Sequence, residues 1–147
     1  MIEHDTLIGS PFEYGGRGPD VFDCYGLLRE LHFRMTGVWM RDFKSPHDQD
    51  AIAKSMAAAI HLWKPIEEQL GRYYVTAGAG RNKGKKFGAP VGGHVMFNVM
   101  NIGSHVGFII EPNKFMHTWD HGDLGACVER LDEWQHRIVG VYEYAGD

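Results

Sequence analysis

The apolar positions change period near the middle of the chain. Up to Pro65 they recur at helical spacing, and from Gly93 onward they alternate or cluster in short blocks. Cys24, Leu28, Leu31 and Met35 stand at i, i+4, i+7 and i+11, one face of a helix predicted from Phe22 or Asp23 to Met35. Arg29, Glu30 and Arg34 fall mostly off that face, and Thr36-Gly37 supplies a C-terminal stop. A second helix is predicted from Ser45-Pro46, where serine can cap and proline suits the first turn. Its stripe of Ile52, Met56, Ala59, Ile60 and Trp63 ends at Pro65. Residues 2–9 read as a short helix leading into Ser10-Pro11.

The second half reads as sheet. Val95–Val99, His105–Ile110, Lys114–Trp119, Ala126–Arg130 and Arg137–Tyr144 are rich in β-branched and aromatic residues and separated by Gly, Pro, Asn or Asp. Asp132–His136 reads as a helical turn. Helices first and a largely antiparallel sheet after them predict an α+β fold. Between the halves, residues 71–93 are Gly-rich and basic, with a short strand predicted at Tyr73–Thr76 in an otherwise solvated loop. This loop does not make a phosphate-binding loop. Ala79 stands where the first glycine belongs, and Lys86 follows Gly84-Lys85 where serine or threonine is required.

Composition narrows the class. A chain of 147 residues suits one compact domain, here 1–147. Its net charge of −4 argues against a nucleic-acid partner. Two cysteines are too few for a disulfide framework. The N-terminal MIEHDTLIGS has no apolar run, so a cleaved signal peptide is not expected. No run of 18 or more apolar residues predicts a membrane span.

The candidate chemistry begins at Cys24. At a helix N-terminus the unpaired N–H groups and the helix dipole favour a thiolate, and the same groups can steady an oxyanion. The helical stripe equally fits a small buried hydrophobe. A nucleophilic cysteine needs a base, usually histidine, and a third group to orient it. Of nine histidines, His105 and His117 fall inside predicted strands. They share one sheet face if the loop between their strands holds an odd number of residues; a two-residue loop would put them on opposite faces. A three-residue loop, Glu111-Pro112-Asn113, is predicted, which lets His105 meet Cys24 while His117 bonds the far side of its ring. Either histidine alone also fits a structural role. His94, His105, His117, His121 and Cys127 are a conceivable zinc supply, but only His117 and His121 are closely spaced, and no metal or other cofactor is expected.

Three stretches in order carry a resemblance. PFEYGG…FDCYGLL resembles the signature of NlpC/P60 cysteine peptidases, an aromatic-rich Gly-Gly segment followed by Asp-Cys-x-Gly. SHVGFII is similar to that family's His-Val-Gly strand, and FMHTW resembles its third, histidine-bearing strand. The resemblance spans about residues 5–145 and implies a papain-like core. Carried over position by position, it makes Cys24 the nucleophile, His105 the base and His117 the orienting member. Phe12, Tyr14, Asp23 and Tyr25 become the candidate substrate-binding residues. The family often has tyrosine where Phe12 stands, and Gly-Asp where Gly93-His94 stands. The implied reaction is hydrolysis of amide bonds in peptidoglycan stem peptides, with phage tail proteins as a further partner class. The Asp-Cys-Tyr-Gly variant resembles the phage tail-associated branch, which implies synthesis in a host cytoplasm and action at the cell wall or in the tail. A catalytically silent tail-assembly protein, or a deamidase or acyltransferase on the same fold, are the alternatives.

Overall fold

The computed structural model describes residues 4–42, 60–66, 88–98, 105–119 and 124–146. The helical stripe becomes α1, Cys24–Thr36. Asp23 caps its N-terminus by accepting from the Gly26 N–H at 2.7 Å. Gly37 ends the helix in the left-handed region, at φ 77°, where its N–H donates to Phe33 O. Cys24, Leu27, Leu28 and Leu31 are buried, but Met35 is 45% exposed. The predicted stripe is therefore only partly covered in its last turn, where the Met35 side chain reaches Gly92.

Among the described residues, six strands form one antiparallel sheet in the order β1-β6-β2-β3-β4-β5. They are β1 Trp63–Pro65, β2 His94–Phe97, β3 His105–Glu111, β4 Lys114–His117, β5 Cys127–Arg130 and β6 Ile138–Tyr144. Helix α1 packs mainly on β3. Alternation along β3 turns Val106, Phe108 and Ile110 into the α1-side core with Leu28, Leu31 and Met116. Ile109 joins Val95, Phe97, Phe115 and Val141 on the other side. Burying one such Leu or Phe contributes about 1.5–3 kcal/mol, so both faces of the sheet hold the fold.

Two sequence expectations change here. The helical stripe predicts Trp63 at the end of a second helix; it instead opens β1, pairing with Tyr144 after a 3-10 turn at Ile60–Leu62. Its indole N–H donates to His94 Nδ1 at 2.9 Å and its ring meets Tyr25 and Tyr144, tertiary contacts that a local period does not register. The rest of that predicted helix, residues 45–59, lies outside the described residues, as do Tyr73–Thr76 and the glycine-lysine run. At the N-terminus, the predicted helix is a 3-10 turn, Asp5–Leu7.

The second change is the β3–β4 connection. Glu111 pairs with Lys114, so the loop is the two residues Pro112-Asn113, not three. An irregularity in β3 between Ile109 and Glu111 inserts one unpaired residue. The extra residue restores the parity that the short loop removes.

Candidate active site

The loop before α1 is folded onto the helix by small residues and one carboxylate. A Cβ on Gly26 would lie 2.0 Å from Gly16 O, and one on Gly16 would lie 2.8 Å from Phe22 Cα. The glycines of the Gly-Gly and Asp-Cys-Tyr-Gly segments are thus needed for close approach of two backbone segments. Asp23 is 0% exposed. It accepts from the Gly15 N–H at 3.0 Å, the Gly26 N–H at 2.7 Å and Arg17 Nη1 at 2.7 Å. Arg17 also donates through Nε to Asp42 at 2.7 Å. A buried carboxylate is retained because donors and a paired guanidinium replace its water.

Of the predicted substrate-binding residues, Asp23 is therefore committed to the loop and the helix cap. Tyr25 is buried, with its hydroxyl donating to Arg41 O. Phe12 and Tyr14 are half-buried and meet edge to face, with centroids 4.8 Å apart.

Cys24 is 2% exposed, at the first position of α1. Burial, and then the Asp23 charge, push its thiol up to about 12; backbone hydrogen bonds from Val106 and Tyr25, and Arg17, pull the other way. The helix terminus thus acts on the sulfur with the expected sign, but desolvation outweighs it. The resting sulfur is a thiol.

His105 opens β3 and His117 closes β4. They share a face, and His105 Nε2 and His117 Nδ1 are 2.6 Å apart. His117 Nε2 is in turn hydrogen-bonded to the Glu129 carboxylate. Glu129 reaches it because β5 pairs His117 with Cys127 and Phe115 with Glu129, which sets Glu129 on the diagonal. Aromatic rings wall the pair: Trp119 lies 5.5 Å from His105, Trp134 5.2 Å from His117, and Phe97 5.7 Å from His105, between centroids. This burial, with His117 alongside, holds His105 well below the usual imidazole range.

Cys24 and His105 come to the same end of β3 from its two sides. The residue after His105, Val106, hydrogen-bonds the sulfur through its backbone, while the His105 ring lies on the face that carries Phe97 and Trp134. His105 Nδ1 is buried and has no hydrogen-bond partner among the described residues. The predicted bond between the two histidines is present, and the predicted bond between His105 and Cys24 is not made. Chain alternation is the reason: α1 packs on the Val106 side, and the preceding residue turns away from it.

Of the conceivable zinc ligands, His94 lies elsewhere, accepting from Trp63 and facing His32 Nδ1 at 3.2 Å. His121 is outside the described residues. His117, Cys127 and Glu129 place their polar atoms within 4.8 Å of one another. His117 Nε2 and, at 4.0 Å, the Cys127 thiol both hydrogen-bond to Glu129 Oε2 in that grouping. Sequence reading missed Glu129 and Arg17. Alternation could have put Cys127 and Glu129 on one face, but their pairing with β4 depends on how 118–126 folds.

Comparison with known proteins rests on this geometry. No curated protein matches the chain at the sequence level. Among solved structures, NlpC2 from Trichomonas vaginalis is similar with a TM-score of 0.55 and 16% identity, covering 95% of this chain and 43% of that one. A lipoprotein-like NLP/P60 protein from Staphylococcus aureus gives 0.56 and 17%, covering 97% and 39%. The NlpC/p60 domain of the peptidoglycan hydrolase SagA gives 0.53 and 14%, covering 94% and 89%. At these identities the likeness is one of fold, and the chain spans about 40% of the length of the first two. The model of the NlpC/P60 family matches residues 9–143. With an α+β, papain-like core and a family match over nearly its whole length, the chain belongs to the NlpC/P60 family.

Proposed function

We propose that this protein is a cysteine hydrolase that cleaves amide bonds in peptidoglycan stem peptides. Cys24 is the nucleophile, His105 the base and His117 the group that orients His105. The observation that carries this reading is the bonded pair of His105 and His117, with the unpartnered Nδ1 of His105 at the end of β3 where Cys24 also lies. Membership in a family of cysteine peptidases and hydrolases supports it, as does the fold shared with a peptidoglycan hydrolase.

Both groups rest neutral, so the proton leaves the sulfur during attack and not before it. The ring and the sulfur close to hydrogen-bond reach in the substrate complex, where catalytic contacts commonly tighten. His105 Nδ1 takes the Cys24 proton as sulfur adds to the amide carbonyl. The amine leaves with that proton, and a thioester remains. Water, deprotonated by His105, then releases the carboxylic acid and restores the thiol. Phe12 and Tyr14 are the substrate-facing aromatics. The Asp23-Cys24-Tyr25-Gly26 variant supports a phage tail as the setting, with synthesis in the host cytoplasm and action at the cell wall.

Digestion of defined muropeptides tests this. Wild type should release free amine and acid, and Cys24→Ala should release neither while keeping its circular dichroism. Equal activity in the two proteins ends the reading. The second reading is a silent protein on the same fold. The Cys24 thiol, pushed up to about 12 by burial, favours it. Wild-type protein that leaves every muropeptide intact selects it.

A further inference from the structure

We infer that Glu129 is a positioning residue that sets the tautomers of the two histidines, so that His105 carries its lone pair at Nδ1. The inference rests on the reading of His105 as the base for Cys24.

The protons of the site lie along one line of atoms, from Glu129 through His117 to His105. An ionised carboxylate accepts hydrogen bonds and donates none. Bonded to Glu129, His117 Nε2 must therefore carry a proton. In a neutral ring the other nitrogen is then a lone pair, so His117 Nδ1 is an acceptor. It lies 2.6 Å from His105 Nε2, which must then be the donor. A neutral His105 protonated at Nε2 has its lone pair at Nδ1. That is the buried atom without a partner, and the one that has to take the Cys24 proton. With Glu129 ionised and both rings neutral, each step leaves one choice, and the choice begins at the carboxylate.

Without Glu129 the line loses its direction. His117 can then donate from Nδ1, His105 accepts at Nε2, and His105 carries its proton at Nδ1. In that state the 2.6 Å contact survives, the rings need not move, and the base is blocked. When His105 does take up the Cys24 proton, its Nε2–H still donates to His117, and the Glu129 charge faces the new cation through one ring. A carboxylate at the far end of the pair thus selects the working tautomer and steadies the charged state. The site lends itself to this. The rings are walled by Trp119 and Trp134, so water competes little for their nitrogens, while Glu129 sits at the rim with its side chain 36% exposed.

The test reads nitrogen-15 shifts of labelled histidine in substrate-free protein near neutral pH, with His105→Gln and His117→Gln used for assignment. Wild type should show a pyridine-type Nδ1 in His105 and a pyrrole-type Nε2 in His117. Glu129→Ala should move His105 Nδ1 partly or fully to pyrrole type. Glu129→Gln, whose amide oxygen still accepts, should keep the wild-type pattern. In muropeptide digestion Glu129→Ala should lower kcat with little change in KM, by up to the ~10²–10⁴-fold that a positioned base contributes, and Glu129→Gln should recover most of it. A protonated Nδ1 in wild-type His105, or a pattern unmoved in Glu129→Ala, overturns the inference. The wild-type spectrum alone decides this if Glu129→Ala does not fold. Because the spectra need no turnover, a tautomer shift in a protein that cleaves nothing would overturn the hydrolase reading and leave this one standing.

Discussion

Cys24 illustrates how a residue's neighbours compete. The start of α1 favours a thiolate, yet the same packing that places the sulfur removes water from it, and the adjacent Asp23 adds a like charge. The thiol of the free protein should therefore titrate late. Iodoacetamide alkylation of Cys24 should keep accelerating as pH rises from 9 toward 12, where an ordinary cysteine has already levelled off. A rate that is high and flat below pH 7 would reveal a preformed thiolate and contradict this. Cys127, the other thiol, is pushed up to about 11, so peptide mapping must separate the two. His94 makes the complementary case. Burial and nearby His32 hold it down to about 3 from its usual 6.5, while Trp63 donates to its Nδ1. Its folded value is depressed, so the unfolded chain binds the extra proton between those limits. Stability should fall as pH drops from 6.5 toward 3. Urea midpoints across that range should show this slope in wild type, and a smaller one in His94→Gln, whose amide oxygen can still accept from Trp63.

At the scale of elements, the join between the first loop and α1 is the most constrained place described. Gly26 faces the carbonyl of Gly16 with no room for a methyl group, and the neighbour is backbone, which cannot swing aside. Gly26→Ala should destabilise the protein by about 1–3 kcal/mol, the usual cost of overpacking, and should displace Cys24 as the loop lifts. Denaturant unfolding checks the first effect; a stability within 0.5 kcal/mol of wild type, the range of neutral surface changes, would contradict it. The β3–β4 hairpin teaches a different lesson about elements. Parity along a chain decides which histidines can meet, but a loop and a bulge contribute to parity equally. The expected three-residue loop was replaced by two residues and a bulge, and the shared face survived because only the total matters.

For the molecule as a whole, the sheet is the common partner. Helix α1 and the Asp23–Arg17 loop cover one side of it, and the Trp119–Trp134–Phe97 wall covers the other around the histidines. A chain packed in this way on both faces of one sheet should unfold in one step. Tryptophan fluorescence, which reports Trp63 on the α1 side and Trp119 and Trp134 on the other, and far-ultraviolet circular dichroism should give coincident transitions, whereas separated midpoints would indicate two independent units.

Much of this was readable in order along the chain. Helix α1 follows from one apolar stripe, a capping aspartate and a stopping glycine. Strands β3 and β4 follow from short β-branched and aromatic runs around Pro112-Asn113. The placement of Cys24, His105 and His117 on those elements was legible because short motifs also mark them. Local sequence decides such things because helix and strand periods, caps and turns act over a few residues. Tertiary structure decided the rest. It turned Trp63 from a helix end into an edge strand, buried the Cys24 thiol until desolvation outweighed the helix terminus, and brought Glu129 to His117 across β4 and β5. It also left the buried His105 Nδ1 without a hydrogen-bond partner among the described residues. These outcomes depend on pairing register and solvent exclusion between segments far apart in sequence, and neither is encoded in any single stretch of the chain.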